Sequence, residues 1–188
     1  MKQMRSTNSR EQLLDAAESV VIEKGISAMT LDAVAARAEV SKGGLLYHFP
    51  SKDALVQAMV SRIASLVTQR FATELAGEPP GQGRHARTLI RLMMDSESTF
   101  FLQIQRIAAP LLAAMAGNSE MLAPMRQFFV GVQQGMLDDG MDSARSWLVL
   151  AVLDGLKFWK IFQIFGPSKT ELAKVRLLLE RIIDEKPL

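Results

Sequence analysis

Hydroxyl, cationic and aromatic side chains cluster in one short stretch of the chain, residues 30–52, which reads TLDAVAARAEVSKGGLLYHFPSK. Ser41 and Lys42 precede two consecutive glycines, and Tyr47 and His48 follow them. Tyr47 is the chain's single tyrosine, and His48 is one of two histidines. Hydroxyls, ammonium groups and open backbone N–H groups are the donors that proteins present to phosphate. We therefore expect this stretch to contact a phosphate-bearing surface.

Two short helices must position these groups. Thr30 and Ser41 each stand where a side-chain oxygen caps a helix, and a three-residue turn joins the two helices. These dimensions are typical of a helix-turn-helix. The second helix has poor helix propensity, because Gly43 and Gly44 cost about 1 kcal/mol each relative to alanine. Two glycines in its first turn favour close approach of the backbone to another surface.

The stretch resembles the signature of the TetR family of ligand-responsive transcriptional regulators, in SKGGLLYHFPSKDAL and in the preceding TLDAVAARAEV. The resemblance covers residues 10–59. With Ser41 added, it implies a DNA-binding surface of Thr30, Ser41, Lys42, Gly43, Gly44, Leu46, Tyr47, His48 and Lys52. It implies that Lys42 and Gly44 face bases, while phosphates are held by Thr30, Tyr47, His48 and Lys52. Leu46 departs from the aromatic or polar residue of many relatives, so it can touch a thymine methyl but cannot hydrogen-bond a base edge.

Each of these residues also has an ordinary structural interpretation. Tyr47 alone fits a core aromatic, His48 fits a structural histidine, and the lysines fit solvated side chains. Their common position around the two glycines and before FPSK favours phosphate contact. Lys2, Arg5 and Arg10 form a cationic N-terminal arm, for which a solvated tail and contact with phosphates or the minor groove both remain open.

The net charge of the chain does not by itself indicate a nucleic-acid partner. The formal charge is +2, and residues 1–56 contain seven basic and seven acidic side chains. DNA binding therefore requires that the cations share one face and that two copies combine their phosphate contacts. Two-fold symmetry also places two recognition helices about 34 to 36 Å apart, in successive major grooves. We expect a homodimer on a double-stranded DNA operator.

Hydrophobic residues recur with a 3.6-residue period, and this pattern predicts an all-α protein of about nine helices. We expect a helix-turn-helix domain at 1–50 and a ligand-binding and dimerisation domain at 51–188, whose first helix, 51–75, connects the two. The predicted helices are 9–24, 30–38, 42–49, 51–75, 85–95, 98–116, 123–137, 142–165 and 168–184. We expect the homodimer to form through the apolar faces of the last two helices, as a four-helix bundle between subunits. The alternative is that both helices serve only the core of one chain.

Soft and aromatic side chains on the middle helices predict an apolar ligand cavity, although the same pattern is typical of core packing. The predicted ligand residues are Phe101, Gln105, Met125, Phe129, Gln133, Asp154 and Phe158. Such a cavity suits a hydrophobic molecule, including a cationic or aromatic one. Asp154 lies in an oily helix and needs a partner, for which Lys157, Arg145, a second subunit and a cationic ligand are candidates.

Composition and motifs argue against other classes of protein. With no cysteine, the chain has no disulfide, thiolate metal site or Fe–S cluster. It lacks GxSxG, HExxH, P-loop and dinucleotide-binding motifs, so we expect no enzyme, cofactor or metal. A polar N-terminus and three charges within residues 147–165 argue against a signal peptide and a membrane span. We expect a cytoplasmic protein.

The sequence therefore predicts a dimeric, sequence-specific DNA-binding transcriptional regulator, most simply a repressor that a small hydrophobic ligand releases from DNA. The alternative is a helical ligand-binding or adaptor protein with a vestigial DNA-binding unit.

Overall fold

The computed structural model describes residues 2–94, 104, 106–111 and 118–185. Every regular element among them is helical, which confirms the predicted all-α class. Contacts divide the chain into two compact units: unit 1 takes in the described parts of Met1–Ile63 and Gln103–Pro124, and unit 2 those of Ala64–Leu102 and Met125–Leu188. The predicted boundary at residues 50 and 51 stays a prediction. No described helix is long and apolar enough to cross a membrane.

Unit 1 is built around four helices. They are α1, Lys2–Lys24, α2, Leu31–Arg37, α3, Lys42–His48, and α4, Lys52–Gly77, the last of which continues into unit 2. A 3-10 turn, Ile26–Ala28, separates α1 from α2, and α2 packs on both α1 and α3. The 3-10 turn Ser119–Leu122 and the helical residues 106–111 also belong to this unit. The first helix begins at Lys2 rather than at the predicted Ser9, because Lys, Gln, Met and Arg are good helix formers.

An ion-pair cluster joins α1 to α4 within unit 1. Arg62 lies 2.6 Å from Asp15 and 3.4 Å from Glu11, and its Nε donates to Glu18 at 3.1 Å. The three carboxylates share one face of α1, since residues four and seven positions apart lie above one another on a helix. The Arg62 side chain is only 16% exposed, so solvent screens the cluster less than it would a surface pair. The sequence analysis did not identify this cluster, although the spacing of the acids signals it.

Unit 2 contains most of the remaining helices. They are α5, Arg84–Met94, α6, Ala123–Asp138, α7, Ser143–Ile161, and α8, Lys169–Asp184. Helices α5, α7 and α8 pack on one another, and they bury Leu89, Leu153 and Ile183. A capping box begins α8: the Ser168 hydroxyl accepts the Glu171 N–H, and the Glu171 carboxylate accepts the Ser168 N–H.

Two helices end in a left-handed residue that is not glycine. Glu39 has φ 57° after α2, and Gln163 has φ 51° after α7. The N–H of Val40 then donates back to the carbonyl of Ala35 at 3.0 Å, and the residue after Gln163 makes the equivalent bond at 3.1 Å. Glycine is usual at this position, because a side chain there costs about 1–2 kcal/mol. Since no glycine marks the end of α7, the sequence analysis placed that end four residues too late, at 165 instead of 161.

His85 is wedged between helices of unit 2. Its Nδ1 lies 2.8 Å from the Asp139 carboxylate, which also accepts the His85 backbone N–H at 2.6 Å. The Phe71 ring lies 6.0 Å away, centroid to centroid. On α6, Gly135 leaves the space that the imidazole occupies, since a Cβ at that position would overlap the ring. The histidine thereby connects the start of α5 to the end of α6.

Gly135→Ala should lower the free energy of unfolding by about 1–3 kcal/mol, because the added methyl group must displace the His85 ring. Gly131→Ala is the matched control one turn earlier on α6, where nothing lies within 4 Å of an added Cβ. The control should raise stability by about 0.5–1 kcal/mol through helix propensity. Urea unfolding followed by circular dichroism measures both variants. A neutral Gly135→Ala would contradict this account of the wedge.

Glu39→Gly should raise the free energy of unfolding by about 0.5–1 kcal/mol, because relief of the left-handed strain exceeds the backbone entropy that glycine loses on folding. Glu39→Ala keeps the Cβ and removes the same charge, so it should give no such gain. The same urea titrations distinguish the two. Equal stabilisation by both variants would assign the effect to charge rather than to conformation.

Candidate nucleic-acid interface

Helix α3 has a buried side and an exposed side. Leu45 is fully buried, and Phe49, which follows the helix as its C-cap, is 2% exposed. The exposed residues are Lys42, Gly43, Gly44, Leu46 and Tyr47. Tyr47 is 81% exposed, which excludes the core-aromatic interpretation within a single chain. Two apolar residues therefore anchor α3, and its polar groups face solvent.

Both predicted hydroxyl caps are confirmed. The Thr30 hydroxyl accepts the Ala33 N–H at 3.1 Å, and the Ser41 hydroxyl accepts the Gly44 N–H at 3.1 Å. A Cβ at Gly43 would meet nothing within 4 Å. Packing within the chain therefore does not explain this glycine, whereas an external surface close to the backbone would.

Acceptors within unit 1 hold the two lysines of the predicted surface. Lys42 Nζ lies 2.9 Å from Asp32, and both side chains are more than half exposed. Such a pair contributes about 0–1 kcal/mol, so Lys42 can exchange Asp32 for a DNA acceptor at small cost. Lys52 Nζ donates to the carbonyl of Ile26 at 3.3 Å. The sequence analysis missed Asp32, because no local spacing rule connects positions ten residues apart across a turn.

The remaining aromatic and cationic groups lie around the end of α3. His48 is half-buried, with its ring 5.1 Å from the Tyr47 ring and 6.4 Å from that of Phe49. The Arg10 guanidinium lies 5.2 Å over the Phe49 ring and 3.5 Å from the Glu11 carboxylate. Arg10 thus lies within α1 and packs on Phe49, so it is not part of a free tail. Eight of the nine predicted DNA-binding residues are exposed, and their contact with DNA stays a prediction.

The predicted ligand residues fall in several places. Phe101 and Gln105 lie outside the described residues. Met125, Phe129 and Gln133 are half-buried and recur every fourth residue along α6, so they share a face of that helix.

Asp154 and Phe158 lie one turn apart on the exposed side of α7. The Phe158 ring packs 4.7 Å from that of Phe162. Nearby protein atoms partly desolvate the Asp154 carboxyl group and raise its pKa. Arg145, one of its candidate partners, lies 3.2 Å from Asp142.

A separate cavity of about 440 Å³ lies in unit 2, and none of the five described ligand candidates lines it. The described residues that line it are Met93, Met94, Leu153, Leu156, Lys157, Trp159, Lys160, Gln163, Ile164, Phe165, Gly166, Pro167 and Leu172. Burial, together with the charge of Lys160, lowers the pKa of Lys157 to about 8. Nowhere in the described ranges do three histidines or carboxylates come together to hold a metal ion.

Two family models match the chain. Residues 13–59 match the model of bacterial regulatory proteins of the tetR family, which spans α2 and α3. Residues 83–184 match the model of the tetracyclin repressor-like C-terminal domain. The second match alone covers more than half of the chain.

Curated relatives align over shorter stretches. The A-factor receptor protein of Streptomyces griseus is 36% identical over 66 residues, which are 35% of this chain and 24% of that protein. The HTH-type transcriptional repressor Rv3405c of Mycobacterium tuberculosis is 31% identical over 85 residues, 44% of this chain and 45% of that protein. The aligned stretch therefore spans less than half the length of these relatives.

Solved structures match over nearly the whole chain. The multidrug binding protein EbrR, complexed with malachite green, has a TM-score of 0.70 at 25% identity and covers 94% of this chain and 98% of its own. A TetR family member from Streptomyces coelicolor A3 has a TM-score of 0.73 at 23% identity and covers 94% and 99%. The family models and the shared fold lead to one conclusion: the chain belongs to the TetR family of bacterial regulatory proteins, which are DNA-binding transcriptional regulators and not enzymes.

Proposed function

We propose that this chain is a homodimeric regulator that binds a double-stranded DNA operator through α3 and leaves it when a small molecule binds unit 2. The observation that carries the proposal is the exposed polar side of α3 over the fully buried Leu45. With a DNA operator as the partner, the proposed activity is cytoplasmic. Repression is supported by the relative Rv3405c, which is a transcriptional repressor. Control by a small molecule is supported by EbrR, a multidrug binding protein whose solved structures contain ethidium or proflavin.

The side chains of α3 suit the two kinds of DNA contact. Lys42 can turn from Asp32 to acceptors on a guanine edge, which lysine reads in the major groove. The exposed Tyr47 hydroxyl can donate to a phosphate oxygen, which fixes orientation without reading sequence. Gly43 and Gly44 let the backbone approach the duplex closely. One copy supplies few such contacts, so the proposal requires two copies for useful affinity.

Unit 2 supports dimerisation through the last two helices. Large apolar side chains remain exposed on α7, on α8 and on the loop between them: Trp147, Leu148, Phe158, Trp159, Phe162, Ile164, Phe165, Leu177 and Leu178. Large apolar side chains exposed on two neighbouring helices and their connecting loop favour an interaction surface. Pairing α7 and α8 with their copies in a second chain would bury it in a four-helix bundle.

Helix α4 supplies a route from ligand to DNA. It begins at Lys52, four residues after α3 ends, and continues through Ala64 into unit 2. A continuous helix transmits a shift of one end to the other, so a ligand that moves its unit 2 part would change the separation of the two α3 helices in the dimer.

Lys42→Ala should weaken operator binding by about 1–3 kcal/mol and relax its sequence preference, because it removes a base contact. Tyr47→Phe should cost about 0.5–1.5 kcal/mol through one lost phosphate hydrogen bond. Both side chains are exposed, so the variants should stay folded. Lys24→Ala, an exposed lysine at the end of α1, is the matched control and should bind as the wild type does.

Footprinting on DNA upstream of the gene first locates the operator, and fluorescence anisotropy at fixed salt then gives the affinities. Unchanged affinity in both the Lys42 and the Tyr47 variant would contradict DNA binding through α3. That result would favour an adaptor protein whose DNA-binding unit is vestigial.

Leu177→Asp should convert the dimer to folded monomers and weaken operator binding roughly 100-fold, because two linked half-site contacts become independent. Leu177 and Val130 are each 60% exposed, so Val130→Asp on α6 is a control for the introduced charge. Analytical ultracentrifugation measures the assembly, and circular dichroism checks the fold. A dimer that survives Leu177→Asp with unchanged affinity would place the interface elsewhere.

A further inference from the structure

The ion pair between Lys42 and Asp32 lies at the start of α3. Lys42 is the first residue of α3, and its Nζ lies 2.9 Å from one carboxylate oxygen of Asp32 and 3.1 Å from the other. Asp32 itself lies in the first turn of α2, and its side chain is exposed. In a helix-turn-helix, the N-terminal residues of the second helix contact base edges. A base edge that Lys42 reaches is therefore also within reach of Asp32.

The stability of unit 1 accounts for only part of what Asp32 does. A carboxylate in the first turn of a helix interacts favourably with the helix dipole, and an exposed ion pair adds little to that. Asp53 gives α4 the same kind of first-turn acid. Neither effect requires the acid to lie beside a lysine at the proposed DNA surface.

A carboxylate at a DNA interface needs a hydrogen-bond donor from the DNA. The phosphates repel it, and loss of its water is costly unless another donor replaces that water. When Lys42 turns to a guanine, Asp32 also loses the ammonium group that compensates its charge. On the major-groove edges of the bases, the donors are the N4 amino group of cytosine and the N6 amino group of adenine. Asp32 therefore requires one of these two groups.

The spacing of the ion pair fits a G·C base pair. Guanine O6 accepts a hydrogen bond from cytosine N4 within the base pair, so these two atoms are about 2.9 Å apart. Lys42 Nζ and Asp32 Oδ1 have the same separation, 2.9 Å. Lys42 can therefore donate to O6 while Asp32 accepts from N4.

An A·T base pair fits the ion pair less well. It also presents a donor, adenine N6, beside an acceptor, thymine O4. However, adenine N7 lies next to N6 on the same edge, and this second acceptor repels a carboxylate. Cytosine has a C–H group in the corresponding place. The charges of the ion pair thus favour G·C over A·T.

We infer that Asp32 is a specificity-determining residue: together with Lys42 it reads one G·C base pair in each half-site, with Lys42 on guanine and Asp32 on the cytosine amino group. The inference rests on the proposed function. It adds an acidic residue to a DNA-binding surface for which the sequence analysis named no acid.

A chemically modified operator tests the carboxylate contact directly. In N4-methylcytosine, a methyl group replaces the amino hydrogen that faces the major groove, and the hydrogen that pairs with guanine is kept. Each cytosine of the operator that footprinting locates is replaced in turn, in both half-sites, and anisotropy at fixed salt gives the Kd. One replacement should raise the Kd of the wild type roughly tenfold, because a charge-assisted hydrogen bond is lost. At that position Asp32→Ala should bind the modified and unmodified operators equally.

Asp53→Ala is the matched control, because Asp53 is also an exposed acid in the first turn of its helix. Removal of either acid lowers the general repulsion from phosphates, so the measured quantity is the ratio of the two Kd values and not the affinity itself. Asp53→Ala should keep the wild-type ratio. If Asp32→Ala also keeps it, or if no replacement weakens wild-type binding, the inference is overturned, whereas wild-type binding of the operator still upholds the proposed function.

Asp32→Asn tests the same contact through a gain of preference. Asparagine has nearly the shape of aspartate, and its amide matches N6 and N7 of adenine together. In operators that carry every base pair at the identified position, this variant should shift the preferred base from cytosine towards adenine. Such a shift cannot result from a misfolded protein. An unchanged preference would overturn the role of Asp32, and a wild type that already prefers adenine would overturn the assignment to G·C.

Discussion

The burial of Leu45 is the contact on which the position of α3 in unit 1 depends. Helix α3 has only seven residues and begins with two glycines after its lysine, so it has little stability of its own. Leu45 and Phe49 hold it against the unit, and the Ser41 hydroxyl caps its start. Because these groups stabilise α3, the residues on its exposed side are not needed to hold the helix in place. The composition of that side is therefore free to follow an external partner.

In unit 2, α7 is the helix whose sequence must satisfy several packing requirements at once. One side of this helix packs into the core through Val149 and Leu153. A second side leaves Trp147 and Phe158 exposed, and its last turns contribute Lys160 to the cavity in unit 2. These different environments around α7 explain why hydrophobic residues occupy nearly every side of the helix. The same fact explains why a hydrophobic pattern alone does not separate core, interface and cavity.

The sequence predicted interactions between residues that are close along the chain, and it did not predict those between residues that are far apart. The caps at Thr30 and Ser41 act over three residues, and an oxygen at the correct offset identifies them. The end of α7 was missed, because Gln163 carries no mark of a left-handed conformation. The pair between Lys42 and Asp32, like the lining of the cavity in unit 2, joins residues from different elements. Only tertiary packing brings such groups together, so these features were found in the structure alone.

The Arg62 cluster concentrates acidic side chains on one face of α1. Glu11, Asp15 and Glu18 all gather on α1 around one guanidinium, whereas α3 contains no acidic residue. These three carboxylates outnumber the two guanidinium groups that pair with them, Arg62 and Arg10, so the cluster carries excess negative charge. A duplex bound at α3, as proposed above, would repel this excess, and salt would weaken the repulsion beyond a Debye length of about 8–10 Å. The cluster would thus add a salt dependence opposite in sign to that of the phosphate contacts.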